Sequence, residues 1–186
     1  MRLIEEERVA GSAVTDEMRS LIGEPLETLV SYPIDRSDIR RWALAVHYPE
    51  EPPRQFWDEE WSASSEWGGL VAPDEFNPFA WSVQESRRPD VTPLEVDRVY
   101  LTAGATEQLL GVAPPDLTHG LNGGIEVIYG DALMRPGDVI TSTASISEYS
   151  ERQGRLGLML FTTTDQRWTN QVGEHVKTQR LTLIRY

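Results

Sequence analysis

The sequence contains no cysteine, which excludes disulfides, thiolate catalysis and Cys-ligated zinc. Histidine is scarce: His47, His119 and His175 are too few and too scattered for a metal site with motif spacing, so no metal is expected. Basic residues are under-represented, with 17 Lys and Arg against 30 Asp and Glu, for a net charge of −13. That balance argues against nucleic acid, whose phosphates require a basic face, and against anionic membranes. No apolar run approaches the roughly 18 residues that span a bilayer. The opening MRLIEEERVAGSAVTDE is acidic where a signal peptide is basic and then apolar, so a cytoplasmic location is the expectation. Gly120-Leu121-Asn122-Gly123-Gly124 lacks the Lys-Ser/Thr of a phosphate loop and precedes a strand, and no nucleophile elbow is present.

What the chain does have is enough apolar material for a core: 39% of its 186 residues, including six Trp. The pattern predicts an acidic tail, or a short first helix, over residues 1–14 and one domain over 15–186. Thr15 caps a short helix Asp16–Ile22 that stops at Gly23. Leu26–Ile34 is rich in β-formers, with Pro33 near its end. Asp35 and Asp38 read as a capping box, followed by Ile39, Trp42, Ala43 and Val46 on one face of a helix. His47–Phe56, with its three prolines, is a loop. Asp58–Trp67 is a short helix closed by Gly68-Gly69. Asn77-Pro78 is a strong helix start, and Asp74-Glu75 is an alternative start one turn earlier. From Asn77-Pro78 the apolar face is Phe79, Ala80 and Val83; the earlier start adds Phe76, and both bury the same face. Residues 84–120 read as a long insertion that covers something or forms an interface. Trp81, Val91, Leu94, Val96, Val99, Tyr100, Leu109 and Leu110 either line a bulky apolar site or pack over the core.

From Leu121 onward the pattern is β: strands at Gly123–Tyr129, Val139–Tyr149, Gly157–Trp168 and Val176–Arg185. The turns fall at 134–138, 151–155 and 169–174. The expectation is an α+β fold, an antiparallel meander with the N-terminal strand as a fifth, wrapped around the helix after Asn77.

The order of these motifs resembles the MaoC-like dehydratases, and within them the N-terminal, fatty-acid-synthase-type dehydratase domain. The residues that carry the resemblance are the helix Asp35–Val46, Asp58-Glu59-Glu60-Trp61, Gly68-Gly69-Leu70-Val71-Ala72-Pro73, Leu121-Asn122-Gly123-Gly124, Arg135-Pro136-Gly137-Asp138 and Thr169-Asn170…Gly173-Glu174. Together they span about residues 15–186. The family implies a hot-dog fold, as dimers or tandem repeats. It also implies an acyl-CoA or acyl-carrier thioester in a tunnel between the halves, no cofactor, and reversible hydration of a trans-2-enoyl thioester. That reaction needs a base for water, an acid for the α-carbon and donors for the enolate oxygen. The implied substrate-binding residues are Phe56, Gly69, Val71, Ala72, Pro73, Phe76, Asn122 and Gly123, although Asn122 also reads as a turn former.

Active members carry an Asp-x-Asn-Pro-x-His motif after the first long helix, and this chain departs from it. Counting back from Asp58 places Glu51 at the Asp, Pro53 at the Asn, Arg54 at the Pro and Phe56 at the His. Counting forward places Tyr48 at the Asp and Glu50 at the Asn, with about three extra residues in the loop. Neither count supplies the histidine, and Phe56 cannot transfer a proton. His47, with Glu50 or Glu51 as its carboxylate, is the substitute the sequence offers. A histidine at a helix end also serves simply to meet the last carbonyls. The leading expectation is therefore the dyad-lacking, substrate-holding subunit of a heteromeric hydratase, paired with a second hot-dog chain. The alternatives are a self-sufficient hydratase using His47, a hot-dog thioesterase and a non-enzymatic acyl-binding protein. Arg152, Arg155, Lys177 and Arg180 are candidates for CoA phosphates, with plain surface solvation as the competing reading.

Overall fold

A computed structural model describes residues 11–80, 105–117, 119–155 and 157–186. Helix α1 (Asp16–Ser20) starts where Thr15 accepts a hydrogen bond from the Met18 amide. Strand β1 (Pro25–Val30) ends before Pro33, and Ile34 turns inward to the core. Helix α2 (Arg36–His47) is capped by Asp35, whose carboxylate accepts from the Ser37 amide at 2.7 Å. Hydrogen bonding by Ser37, its side chain first and then its amide, is the main reason the Asp35 carboxyl sits below the usual carboxylate range. Ile39 and Ala43 are fully buried, but Val46 is 53% exposed, because the helix runs past the surface it covers. A 3₁₀ turn (Arg54–Phe56) leads into α3 (Glu59–Ser64), capped by Asp58 through the Trp61 amide. Helix α3 stops short of the glycine pair. The hydroxyls of Ser64 and Ser65 bond back to the carbonyls of Trp61 and Ser62, at 2.9 and 2.8 Å, and close the last turn early.

Helix α4 (Ala105–Leu109) was not foreseen in the insertion. Strands β2 (Gly120–Tyr129), β3 (Thr141–Gly154), β4 (Gly157–Thr169) and β5 (His175–Arg185) complete an antiparallel sheet with β1. Its order is β1-β3-β4-β5-β2. The expected meander holds for β3, β4 and β5, but β2 crosses to the far edge and pairs with β5. The Arg135-Pro136-Gly137-Asp138 turn accounts for the difference. It does not close a hairpin; it exchanges backbone bonds with Ile34, from the Gly137 amide at 2.8 Å and to the Asp138 carbonyl at 2.9 Å. The turn expected at 151–155 is also displaced. Glu151, Arg152 and Gln153 remain in β3, paired with Leu160, Met159 and Leu158, and the reversal falls between Gly154 and Gly157.

The core lies at the two ends of this sheet. At one end Ile34, Ile39, Ala72, Phe76, Met134, Ile140, Trp168 and Val176 pack together, with Trp42, Phe56 and Phe79 against them. At the other, Val14, Met18 and Leu160 meet Val112, Leu117 and Tyr149. Of the apolar residues singled out in the insertion, Trp81, Val91, Leu94, Val96, Val99, Tyr100 and the Leu109 side chain lie outside the described residues; in the described part, Val112 and Leu117 pack over the core. The helix expected after Asn77 passes outside the described residues beyond Ala80. Its opening signal is present: the Asn77 side chain accepts from the Phe79 amide at 3.0 Å. Asp74 and Glu75 lie in a turn, not in a helix. Among the described residues, no helix is long and apolar enough to cross a membrane, and no group of three or more acidic or histidine side chains is placed to hold a metal.

Candidate functional site

The segment Trp67–Phe76 lies between α3 and the sheet and is fixed by polar contacts along its length. The Arg135 guanidinium donates to the Trp67 carbonyl at 2.8 Å and to that of Leu70 at 3.5 Å. The Val71 amide donates to the Gln55 carbonyl at 3.1 Å and the Ala72 amide to Met134 at 2.8 Å. The Lys177 ammonium donates to the Asp74 carbonyl at 2.7 Å. The two motifs noted separately in the sequence, Gly-Gly-Leu-Val-Ala-Pro and Arg-Pro-Gly-Asp, are therefore one structure. Arg135 has the geometry for this role because Asp138 accepts from its amide at 2.7 Å and tightens the turn.

Val71, Ala72, Pro73 and Phe76 are buried on this segment, and Gly69 is partly buried. Phe76 meets Trp42 edge to face at 5.7 Å, and Phe79 meets Trp168 in the same way at 5.1 Å. Phe56 packs against the same cluster, and the His47 ring lies over it, 6.0 Å between centroids and 28° from parallel. His47, Phe56, Val71, Ala72, Pro73 and Phe76 thus form one neighbourhood at the end of α2. Glu50 and Glu51 are exposed on the loop that follows. Glu50 returns to His47 only through its amide, which donates to the His47 carbonyl at 2.8 Å. Among the described residues, no hydrogen bond or ion pair joins the His47 ring to either carboxylate.

Asn122 and Gly123 lie elsewhere. They stand near the start of β2, paired with the Leu183 end of β5, whereas the buried segment adjoins the Trp168 and Val176 end. Along β2 that separation is about 20 Å at the rise of a strand. The Asn122 side chain accepts from the Gly124 amide at 2.9 Å, at a bulge in β2. A Cβ at Gly123 would lie 2.9 Å from the Ile184 side chain and 3.0 Å from the Thr182 carbonyl, so close strand packing requires glycine there.

Lys177 departs from the surface solvation its sequence context favours: it is 2% exposed. A bulge beside Thr169 lets Val176 and Lys177 both point inward from β5. The ammonium sits 4.3 Å from the centroid of the Trp168 ring, its direct neighbour on β4. Burial pushes the Lys177 amine below its ordinary range, and the nearby Glu75 and Asp74 charges pull it partly back. On the other side of Lys177, Tyr129 of β2 has its phenol raised by burial and by the same two carboxylates. Of the other candidate phosphate contacts, Arg180 is engaged with Asp165 at 2.8 Å and Glu126 at 3.6 Å, and Arg152 lies over the Phe161 ring.

The chain is similar to a chain in the crystal structure of the ChsH1-ChsH2 complex from Mycobacterium tuberculosis, at 16% identity and a TM-score of 0.56, over 88% of this chain and 84% of that one. It is also similar to a solved MaoC-like dehydratase at 18% identity and a TM-score of 0.53, over 90% of this chain and 42% of that one. At such identities the likeness is one of fold. No curated protein matches the chain by sequence. The family model for the FAS1-like dehydratase domain region matches residues 20–179. The chain therefore belongs to that family and has the α+β hot-dog fold of the MaoC-like dehydratases.

Proposed function

We propose that this chain is the substrate-holding, dyad-lacking half of a heteromeric enoyl-thioester hydratase, one hot-dog unit over residues 15–186 that needs no cofactor. The observation that carries the reading is Phe56. Counted back from Asp58 it stands where the motif has histidine, and its ring is stacked on His47, which has no carboxylate partner among the described residues. A phenyl ring can shape an acyl site but cannot move a proton.

The backbone of the neighbouring segment supports the same reading. The amides of Gly68, Gly69, Val71 and Ala72 are spent on the carbonyls of Ser65, Ser62, Gln55 and Met134. They are not free to stabilise an enolate oxygen. In this reading Val71, Ala72, Pro73 and Phe76 hold the acyl group and exclude water from it. The base, the acid and the enolate donors come from a second hot-dog chain.

Strand β2 offers a place for that chain. It is a sheet edge with Leu121, Ile125 and Tyr129 half or more exposed, and among the described residues it pairs only with β5. Natural sheets seldom leave such an edge unprotected.

The test is hydration of a panel of trans-2-enoyl-CoAs, followed by loss of the conjugated thioester absorbance. The expected result is no turnover by the chain alone and turnover on adding a hot-dog chain that carries the Asp and His motif. Turnover by the chain alone, lost in His47→Ala, would assign the chemistry to His47 with Glu50 or Glu51. Release of free CoA and free acid would make it a thioesterase. Binding without turnover in any combination would leave a non-enzymatic acyl-binding protein.

A further inference from the structure

We propose that Lys177 is a positioning residue for the acyl-site wall, its ammonium tethering the Asp74 carbonyl so that Val71–Phe76 keeps its place against the sheet. The inference rests on the reading that this segment faces the acyl group. A buried ammonium is costly, and in an apolar cluster beside Trp168 and Val176 a methionine would fill the same space without that cost. What the charge adds is a strong donor to a backbone carbonyl at 2.7 Å, held in line by the Trp168 face at 4.3 Å. The same indole meets the edge of Phe79, so Lys177, Trp168 and Phe79 brace the segment from the sheet side.

Among the described residues, no other group on the sheet side bonds to Asp74. Both Asp74 and Glu75 are exposed; the Phe76 amide closes their turn on the Pro73 carbonyl at 2.9 Å, and among the described residues the nearest backbone bond to another part of the chain is from the Ala72 amide to Met134. A cavity of about 30 Å³ lies between them, lined by Ala72, Asp74, Tyr129, Met134, Val176 and Lys177. It is large enough for about one water. With the tether cut, the turn at Asp74 has room to move into that space.

The test uses Lys177→Met in the full chain, with three readouts: thermal unfolding, amide exchange over residues 72–76, and binding of a trans-2-enoyl-CoA by calorimetry. The expected outcome is an unfolding temperature equal to or above that of the parent, faster exchange at Asp74–Phe76, and affinity weakened about tenfold, a change of about 1.4 kcal/mol. A purely structural role predicts the opposite split, with lower stability and unchanged affinity. A folded Lys177→Met with parent exchange rates and parent affinity overturns the proposal. Should that variant fail to fold, Lys177→Arg decides. It keeps the charge but carries its donors past the Asp74 carbonyl, so weakened binding in an intact fold supports the tether and parent binding overturns it. If the parent chain itself binds no enoyl-CoA, the acyl-site reading falls, and the exchange rates alone still settle whether Lys177 holds the segment.

Discussion

The Arg185 guanidinium and the Glu107 carboxylate meet through two bonds, at 2.9 and 2.7 Å, with both side chains at most 1% exposed. Arg185 lies on β5 and Glu107 on α4, so the pair fastens the described part of the insertion to the sheet. Thr162 accepts from the same guanidinium at 2.5 Å, and the Tyr149 hydroxyl donates to Glu107 at 2.9 Å. Burial first, and then the Glu107 charge, pushes the Tyr149 phenol well above its ordinary range, so it stays a donor across the working pH range. Replacing Glu107 by Ala takes the carboxylate from a buried guanidinium and is expected to cost about 3–5 kcal/mol. Tyr149→Phe removes one bond to that carboxylate and is expected to cost about 1 kcal/mol. Denaturant unfolding of the two variants measures both, and equal costs would contradict this ranking.

A second prediction concerns pH. Asp165 on β4 sits opposite Arg180 on β5 and accepts two bonds from it, at 2.8 and 2.9 Å. Hydrogen bonding by Arg180 is the largest cause holding the Asp165 carboxyl below its usual range. A carboxyl lowered on folding contributes stability above its unfolded pKa and loses it as pH falls through the folded value. The unfolding temperature of Asp165→Asn should therefore lie below the parent's at about pH 6 and converge with it in acid below the ordinary aspartate range. A gap of constant size across that range would assign the loss to packing instead of charge.

A third prediction tests the joining of the two sequence motifs. Arg135→Met keeps the aliphatic stem and removes both bonds to the Trp67–Leu70 carbonyls. It is expected to cost about 1.5–3 kcal/mol, as for a hydrogen bond from a charged donor. Amide exchange should rise at Gly68 and Gly69 while the protection of β4 is unchanged. Uniformly raised exchange over the whole sheet would mean that Arg135 acts globally.

Gly130 supplies a fourth. A Cβ there would stand 2.0 Å from the His175 carbonyl oxygen and 2.7 Å from its ring. The Gly130 amide also donates to the Val176 carbonyl at 2.8 Å, so the strand cannot back away without losing that bond. Gly130→Ala is expected to cost more than about 2 kcal/mol by overpacking. A variant with the parent's denaturation midpoint would show that the β2–β5 end yields freely.

Local chemistry made most elements legible in the sequence. The caps Thr15, Asp35, Asp58 and Asn77 each act as their side chains dictate. So does the Asn170 turn, whose side chain accepts from the Val172 and Glu174 amides at 3.2 and 2.9 Å. What stayed hidden was non-local. Strand patterning says which residues alternate but not which strand lies next to which, so the crossing of β2 to β5 left no mark. A bulge changes which face a residue takes, and that is why Lys177 read as a surface cation. Of the candidate site, Phe56 and the Val71–Phe76 wall came from motif order. The missing carboxylate link to His47 and the structural use of Gly123 needed side-chain geometry.

The strand order has a consequence in time. Strands β3 and β4 can close as a hairpin as soon as both have been made, but β2 precedes them in the chain and must wait for β5. During synthesis Leu121, Ile125 and Ile128 have no strand to lie against until His175–Arg185 is available. Long-range pairing of this kind is slow and leaves an apolar segment open to wrong partners. The strand proposed to meet a second subunit is thus also the last to join its own sheet, so supplying that subunit during synthesis should raise the yield of folded chain more than supplying it afterwards.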